Sequence, residues 1–112
     1  MLKKLVIVAS LLGSALSMAV PAFADDTGLA GSIHDLRREK GRVCIVDHWH
    51  YGNGSGRNKK AAMSDAAASW ASFTAMEYGS DWARFTRAAN RAASCSSTAS
   101  GVDCSVEGRP CR

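Results

Sequence analysis

Hydrophobic and polar positions follow different patterns in successive parts of this 112-residue chain. At the start, an apolar run from Leu5 to Val20 is interrupted only by small residues, follows two lysines and precedes an Ala-Phe-Ala sequence at 22–24. A cationic start, an apolar stretch too short to span a bilayer comfortably and a small-x-small site are typical of a secretory signal peptide. We therefore predict cleavage after residue 24.

The clearest strand is predicted at Arg42–Tyr51, which is rich in β-branched and aromatic residues. The glycine-rich stretch at 52–56 is expected to end this strand in a loop. Because side chains alternate along a strand, two faces are expected. One carries Cys44, Val46, His48 and His50, and the other carries Val43, Ile45, Asp47, Trp49 and Tyr51.

Apolar residues at helical spacing predict two helices in the middle of the chain. The first covers residues 59–78, with Asn58 as its N-cap and Gly79 at its end. The second begins at Ser80 and has an apolar stripe of its own. The two stripes consist of Ala62, Ala66, Trp70 and Phe73 and of Trp82, Phe85, Ala89 and Ala92.

The tail predicts a β-hairpin with its turn at 98–101. Cys95 and Cys104 lie symmetrically about this turn, where opposed Cβ atoms are close enough for a disulfide. Four cysteines in an exported chain indicate two disulfides, and spacing alone allows three pairings. The hairpin favours Cys95–Cys104, which leaves Cys44–Cys111. A zinc site is the alternative use of four cysteines, but no C-x-x-C pair is present.

These elements predict an α+β fold, with a small three-stranded antiparallel sheet packed against two helices and held by disulfides. Residues 1–24 form the cleaved signal peptide, 25–41 a flexible leader, and 42–112 a single domain. Within the leader, a short helix is expected from Ser32 to Gly41. Small domains bury proportionally little surface, so covalent cross-links are common in them.

Charge limits the classes of partner. The formal net charge of +4 falls to +2 when Lys3 and Lys4 are removed with the signal peptide. That balance is too small to argue for nucleic acid or a membrane surface as a partner. After cleavage, no segment is apolar enough to predict a membrane span.

The three histidines are candidates for a metal site. His48 and His50 lie two apart on the predicted strand and therefore project from one face, as paired imidazoles do in several metal sites. His34 supplies a third nitrogen, and zinc or copper is the ion that would fit such a set. The alternative, in which the imidazoles fill a half-polar sheet surface and no cofactor binds, is the more common role of such residues.

A second candidate site follows the strand. The glycines at 52–56 lead into Arg57, Lys59 and Lys60, and a helix N-terminus adds partial positive charge. An anionic small molecule, glycan or lipid headgroup suits this combination, whereas the alternative is a solvated loop. The spacing does not match a P-loop.

The same region allows a third interpretation. His48 or His50 beside Lys59 or Lys60 makes an acid–base pair next to a cation, as a small phosphodiester hydrolase requires. No serine nucleophile motif is present and the cysteines are expected to be oxidised, so an enzyme is not the main prediction.

The exposure of the aromatic residues Trp49 and Tyr51 depends on which face of the strand the helices cover. If the helices cover the Cys44 face, these two aromatic residues form an exposed binding platform. If they cover the opposite face, the histidines are exposed instead.

Three features cover almost all of the mature chain, namely the segment 48–52, the spacing from Trp70 through 77–79 and Trp82 to Ala88, and the ending from Cys95 to 104–111. In these features the chain resembles small secreted, uncharacterised proteins of α-proteobacteria, especially of the rhizobial group. The resemblance implies a periplasmic or secreted location, and it implies no activity, because none is assigned to that group.

The main functional prediction is therefore a small exported, non-enzymatic binding or interaction protein. Its partner would be another protein or an anionic ligand contacted by the region from His48 to Lys60. A metal-binding protein that uses His48 and His50 is the first alternative, and the small hydrolase is the second.

Overall fold

A computed structural model describes residues 23–112 of the chain. The predicted signal peptide, apart from its last two residues, lies outside the described residues. The elements of the described part are α1 (Leu29–Ile33), β1 (Leu36–Glu39), β2 (Arg42–Ile45), β3 (His50–Gly56), α2 (Lys59–Tyr78), β4 (Ala89–Thr98) and β5 (Gly101–Arg109). Two short 3-10 turns, Ser80–Trp82 and Phe85–Arg87, connect α2 to β4. This α+β fold was predicted from the sequence.

β3, β5 and β4 form an antiparallel sheet in that spatial order, and α2 packs against β3 and β5. β1 and β2 form a separate two-stranded hairpin. The three-stranded sheet and the tail hairpin are therefore confirmed, although the first strand of the sheet begins at His50 rather than at Arg42.

The long helix α2 has the bounds that the sequence predicted. The side chain of Asn58 accepts a hydrogen bond from the backbone N–H of Ala61 at 2.9 Å, which is an N-cap interaction. Gly79 ends the helix with a φ of 107°, a value that glycine adopts more readily than other residues. Every fourth residue on one face is buried, namely Ala62, Ala66, Trp70, Thr74 and Tyr78.

The glycine-rich stretch is a strand, not the predicted loop. Gly52, Gly54 and Gly56 alternate along the face of β3 that contacts α2, and a Cβ atom at Gly54 would overlap the backbone of Ala66. Glycine usually disfavours strands because it has no side chain to pack. Here its missing side chain is what lets the strand lie directly against the helix.

The strand predicted at Arg42–Tyr51 is two strands in different sheets. β2 ends at Ile45, residues 46–49 form a connection, and β3 starts at His50. β2 pairs with β1, whereas His50 pairs with Gly108 on β5. The division of 42–51 into two continuous faces is therefore wrong, because local alternation cannot show that the chain changes partner.

The prediction of a helix from Ser32 to Gly41 is also wrong. The second half of this segment is β1, which turns into β2 at Lys40 and Gly41, with φ values of 49° and 79°. Two central residues with positive φ are typical of the tight turns that join hairpin strands. The segment before β1 packs on the rest of the domain. The N–H of Thr27 donates to the carbonyl of Tyr78 at 2.9 Å, and Ala30 is fully buried.

The helix predicted to start at Ser80 is replaced by the two 3-10 turns and by β4. Ala89 and Ala92, two members of its predicted stripe, lie in the strand. Pairing of eight of the ten residues of β4 with β5 overrides the helical preference of alanine. Trp82 is buried nonetheless, against Tyr78 at the end of α2.

Both predicted disulfides are confirmed. Cys95–Cys104 joins directly opposed residues of β4 and β5, and Cys44–Cys111 ties β2 to the end of the chain. Two disulfides indicate an oxidising compartment. Between residues 23 and 112, no helix is long and apolar enough to cross a membrane.

Candidate metal centre

The three histidines of the sequence meet at one end of α2. His34 follows α1, His48 lies in the connection after β2, and His50 is the first residue of β3. The rings of His34 and His48 are stacked with centroids 4.6 Å apart, and the ring of His50 lies edge-on to His48 at 5.1 Å. The fold therefore brings together the three residues of the predicted metal site, although His48 and His50 do not share a strand.

A carboxylate from the last turn of α2 joins this cluster. The ligand atoms of His34, His48 and Glu77 all lie within 4.8 Å of one another, and each residue is partly exposed. Glu77 was not among the predicted site residues. Its sequence position, on an alanine-rich helix beside a tyrosine, does not distinguish it from an ordinary solvated glutamate.

Tyr78 and Asp47 hold the imidazole of His34 from its two sides. The Nε2 atom of His34 is hydrogen-bonded to the Tyr78 hydroxyl at 2.8 Å, and its Nδ1 atom lies 3.5 Å from Oδ1 of Asp47. Burial, together with the neighbouring Glu77, raises the pKa of Tyr78, so this phenol stays protonated. Asp47 was expected to point away from the histidines, and the break in the predicted strand places it beside them.

His50 lies deeper than the other two histidines, with 1% of its surface exposed. Its Nδ1 atom is hydrogen-bonded to the hydroxyl of Thr74 at 2.8 Å, and its Nε2 atom lies 3.4 Å from Oε2 of Glu77. Burial lowers the pKa of His50 to about 4, and the opposing attraction of Glu77 does not reverse this shift. The ring is therefore neutral at pH 7, as a metal-binding imidazole must be.

The chemistry of the cluster suits a transition-metal ion. Imidazole nitrogen combined with one carboxylate oxygen binds zinc and copper well, whereas calcium and magnesium prefer sets of oxygen ligands. His34, His48 and Glu77 come from three separate segments, so an ion bound there would cross-link the N-terminal segment, the connection 46–49 and α2.

The two predicted aromatic residues lie outside the cluster. Tyr51 is 64% exposed and points away from α2, on the outer face of the sheet. Trp49 is 37% exposed, and the guanidinium of Arg109 lies over its ring at 5.8 Å. An α2 that covers His50 and leaves Tyr51 exposed agrees with the first of the two predicted arrangements. The arrangement does not hold for the whole segment, because Cys44 and Ile45, which were predicted on opposite faces, are both buried.

The basic residues of the predicted anion site lie at the opposite end of α2. Lys59 starts the helix and Glu77 lies in its last turn, so about 27 Å of helix separates them. The backbone of 52–56 pairs with β5 and does not form the expected loop. The histidines are therefore not brought together with Arg57, Lys59 or Lys60, and the acid–base pair beside a cation is not assembled.

Comparison with known proteins gives no match. No family model, no curated protein and no solved structure matches this chain. Its function is therefore argued from the geometry of the site alone.

Proposed function

We propose that this protein is an exported, non-enzymatic metal-binding protein that takes a zinc or copper ion through His34, His48 and Glu77. The observation that carries the proposal is the convergence of two imidazoles and one carboxylate within 4.8 Å of one another. Each comes from a different part of the chain, so no local sequence feature accounts for their meeting.

The spacing supports a site that closes around an ion with small side-chain movements. Zinc binds nitrogen and oxygen ligands at about 2.0–2.1 Å, which places the ligand atoms of a tetrahedral site about 3.3 Å apart. The side chains of His34 and Glu77 are 15% and 25% exposed, so they can rotate and an ion can reach them from solvent. To bind the ion, His34 would give up one of its two ring contacts, with Tyr78 or with Asp47.

The location we propose is the periplasm or the extracellular space. The pattern of residues 1–24 and the two disulfides support export to an oxidising compartment. Exported metal-binding proteins meet ions that are not buffered by cytosolic thiols, so an imidazole and carboxylate site is chemically suited to that compartment.

Calorimetric titration of the oxidised mature chain with Zn(II) and with Cu(II) tests this proposal. We expect a dissociation constant well below 100 μM for at least one ion and a loss of at least tenfold in affinity in His48→Ala. Binding weaker than about 100 μM, roughly 5.5 kcal/mol, for both ions would contradict the proposal.

A Lys59→Ala/Lys60→Ala double variant is the matched control, since it alters the other end of α2. Its metal affinity should equal that of the unaltered protein. The same variant tests the anion hypothesis, because phosphate binding that disappears in it would assign a ligand to Lys59 and Lys60 instead.

A further inference from the structure

The hydrogen bonds of Thr74 determine which nitrogen of His50 carries the proton. A threonine hydroxyl has one hydrogen to donate, and that of Thr74 goes to the backbone carbonyl of Trp70 at 2.8 Å. Toward His50 the same oxygen can therefore only accept. Its contact with His50 Nδ1, also 2.8 Å, requires a proton on Nδ1.

The other ring nitrogen, Nε2, makes no hydrogen bond to the carboxylate that it faces, so the geometry assigns no proton to it and leaves a lone pair there. Within residues 23–112 this buried atom has no hydrogen-bond partner. It faces Oε2 of Glu77 at 3.4 Å. Two electron-pair donors facing each other in a buried place are unfavourable unless a positively charged species lies between them.

We propose that Nε2 of His50 is a fourth ligand of the ion, which completes a closed tetrahedral site with His34, His48 and Glu77. This inference rests on the proposed function. The 3.4 Å between His50 Nε2 and Glu77 Oε2 already matches the roughly 3.3 Å between neighbouring ligands of a tetrahedral zinc ion. Glu77 is the shared member, because it belongs to the three-residue group and also faces His50. His50 lies outside the group whose ligand atoms are within 4.8 Å of one another, so the side chains of His34 and His48 would rotate toward it when the ion binds.

The outer contacts of His50 are those of a metal ligand. A metal-binding histidine typically donates its second ring N–H to a fixed oxygen, which sets the ring orientation. Thr74 provides that oxygen and is itself held by the carbonyl of Trp70. Tyr78 and Phe73 flank the ring of His50, with centroids at 5.0 Å and 4.6 Å.

A fourth protein ligand determines the kind of ion and its use. A tetrahedral set of three imidazoles and one carboxylate favours Zn(II) over Cu(II), which prefers square-planar or tetragonal geometry. It also leaves no coordination position for a substrate or a reactive water. The site would therefore hold zinc rather than catalyse a reaction with it.

Long-range nitrogen NMR of the histidine rings, without and with Zn(II), tests the inference on the unaltered mature protein. In the metal-free protein we expect a protonated Nδ1 and an unprotonated Nε2 for His50. Zinc should move the Nε2 resonance of His50 together with one nitrogen each of His34 and His48.

The outcomes separate the inference from the function on which it rests. Shifts confined to His34 and His48 would overturn the fourth ligand and leave the metal site in place. If no ring nitrogen responds to zinc, both fail. A metal-free His50 protonated on Nε2 would also overturn the inference, because its lone pair would then face Thr74.

A Thr74→Val variant provides a second readout. It keeps the shape of the side chain and removes the oxygen that orients His50, so zinc affinity should fall about 10- to 100-fold. Thr98→Val, the same change at an exposed position of β4, is the control and should bind zinc as the unaltered protein does. Unchanged zinc affinity in a folded Thr74→Val protein would contradict the role of His50.

Discussion

The interface between α2 and β3 has two ends that differ in the size of the side chains packed there. At what we call the glycine end, Gly52, Gly54 and Gly56 lie against Ala62 and Ala66, and added Cβ atoms would collide with the helix backbone. At what we call the histidine end, the same strand and helix present large side chains to each other. These are His50, Trp70, Thr74 and Tyr78.

The difference shows how one helix–strand pair can pack closely at one end and hold a candidate metal site at the other. At the glycine end the backbones of β3 and α2 are in direct contact. Large side chains at the histidine end keep the two backbones apart, and polar atoms occupy the space between them. The hairpin of β1 and β2 lies between His34 and His48 in the sequence, and its position places both imidazoles at the histidine end.

Removing the two disulfides separately gives the largest effects and distinguishes the two ends. In the loop-entropy model, loss of Cys44–Cys111, with a separation of 67 residues, costs about 4 kcal/mol of unfolding free energy. Loss of Cys95–Cys104, with a separation of 9, costs about 2.5 kcal/mol. Urea unfolding of the two double-alanine variants measures both.

Metal affinity should respond only to the first of these changes. Cys44–Cys111 anchors the hairpin that lies between His34 and His48 in the sequence, whereas Cys104 pairs with Gly54 at the glycine end. Equal loss of zinc affinity in both variants, under conditions where both are folded, would refute the independence of the two ends.

Gly54→Ala tests the close contact at the glycine end. The new methyl group would overlap the backbone of Ala66, so we expect a loss of about 3 kcal/mol in unfolding free energy. Gly31→Ala is the matched control, because a Cβ there meets only Leu36, at an ordinary 3.6 Å, and it should be neutral or slightly stabilising. A Gly54→Ala protein as stable as the unaltered one would show that the interface adjusts easily.

Acid should weaken the attachment of the β1–β2 hairpin to β5 through Glu39. Two hydrogen bonds of 2.6 and 2.7 Å join its carboxylate to Arg109, and Arg109 also donates to the carbonyl of Ile45. The hydrogen bond with Arg109 lowers the pKa of Glu39 from 4.5 to about 2. Its contribution to stability, roughly 2 kcal/mol, is therefore complete above pH 4.5 and is lost as the pH falls toward 2.

Thermal or urea unfolding of the unaltered protein and of Glu39→Gln, between pH 7 and pH 2, measures this contribution. The stability difference between them should shrink as the pH falls below 4.5. His50 adds a separate loss as the pH falls from 6.5 toward 4, because burial lowers its folded-state pKa to about 4. Since both proteins retain His50, a difference that stays constant with pH would contradict the role of Glu39.

The smallest predicted effects come from single hydrogen bonds at opposite ends of α2. Asn58→Ala removes the N-cap beside the glycine end, and Tyr78→Phe removes the hydroxyl bonded to His34. Each should cost about 1 kcal/mol of stability. Zinc titration should separate them, with weaker binding expected in Tyr78→Phe and unchanged binding in Asn58→Ala. The reverse result would argue against Tyr78 as a support of the site.

Features set by local patterns were predicted correctly. The bounds of α2 follow from its alanine-rich periodicity and its caps, and Cys95–Cys104 follows from symmetry about a turn. Features that depend on a distant partner were not. The Lys40–Gly41 turn is a hairpin signal only if β1 is recognised as a strand, and glycines at 52–56 resemble a loop until α2 lies against them.

The sequence by itself determined that this is an α+β protein with two cross-links, and it identified three histidines as potential ligands. Cysteine and histidine are rare here, so their few positions allowed few combinations. Only the tertiary structure decided that Glu77 joins them and that Lys59 and Lys60 lie far away. It also decided that His50 is buried with one ring nitrogen, Nε2, that has no hydrogen-bond partner in the described part of the chain. Those facts depend on where separate segments meet in space, which periodicity along one segment does not specify.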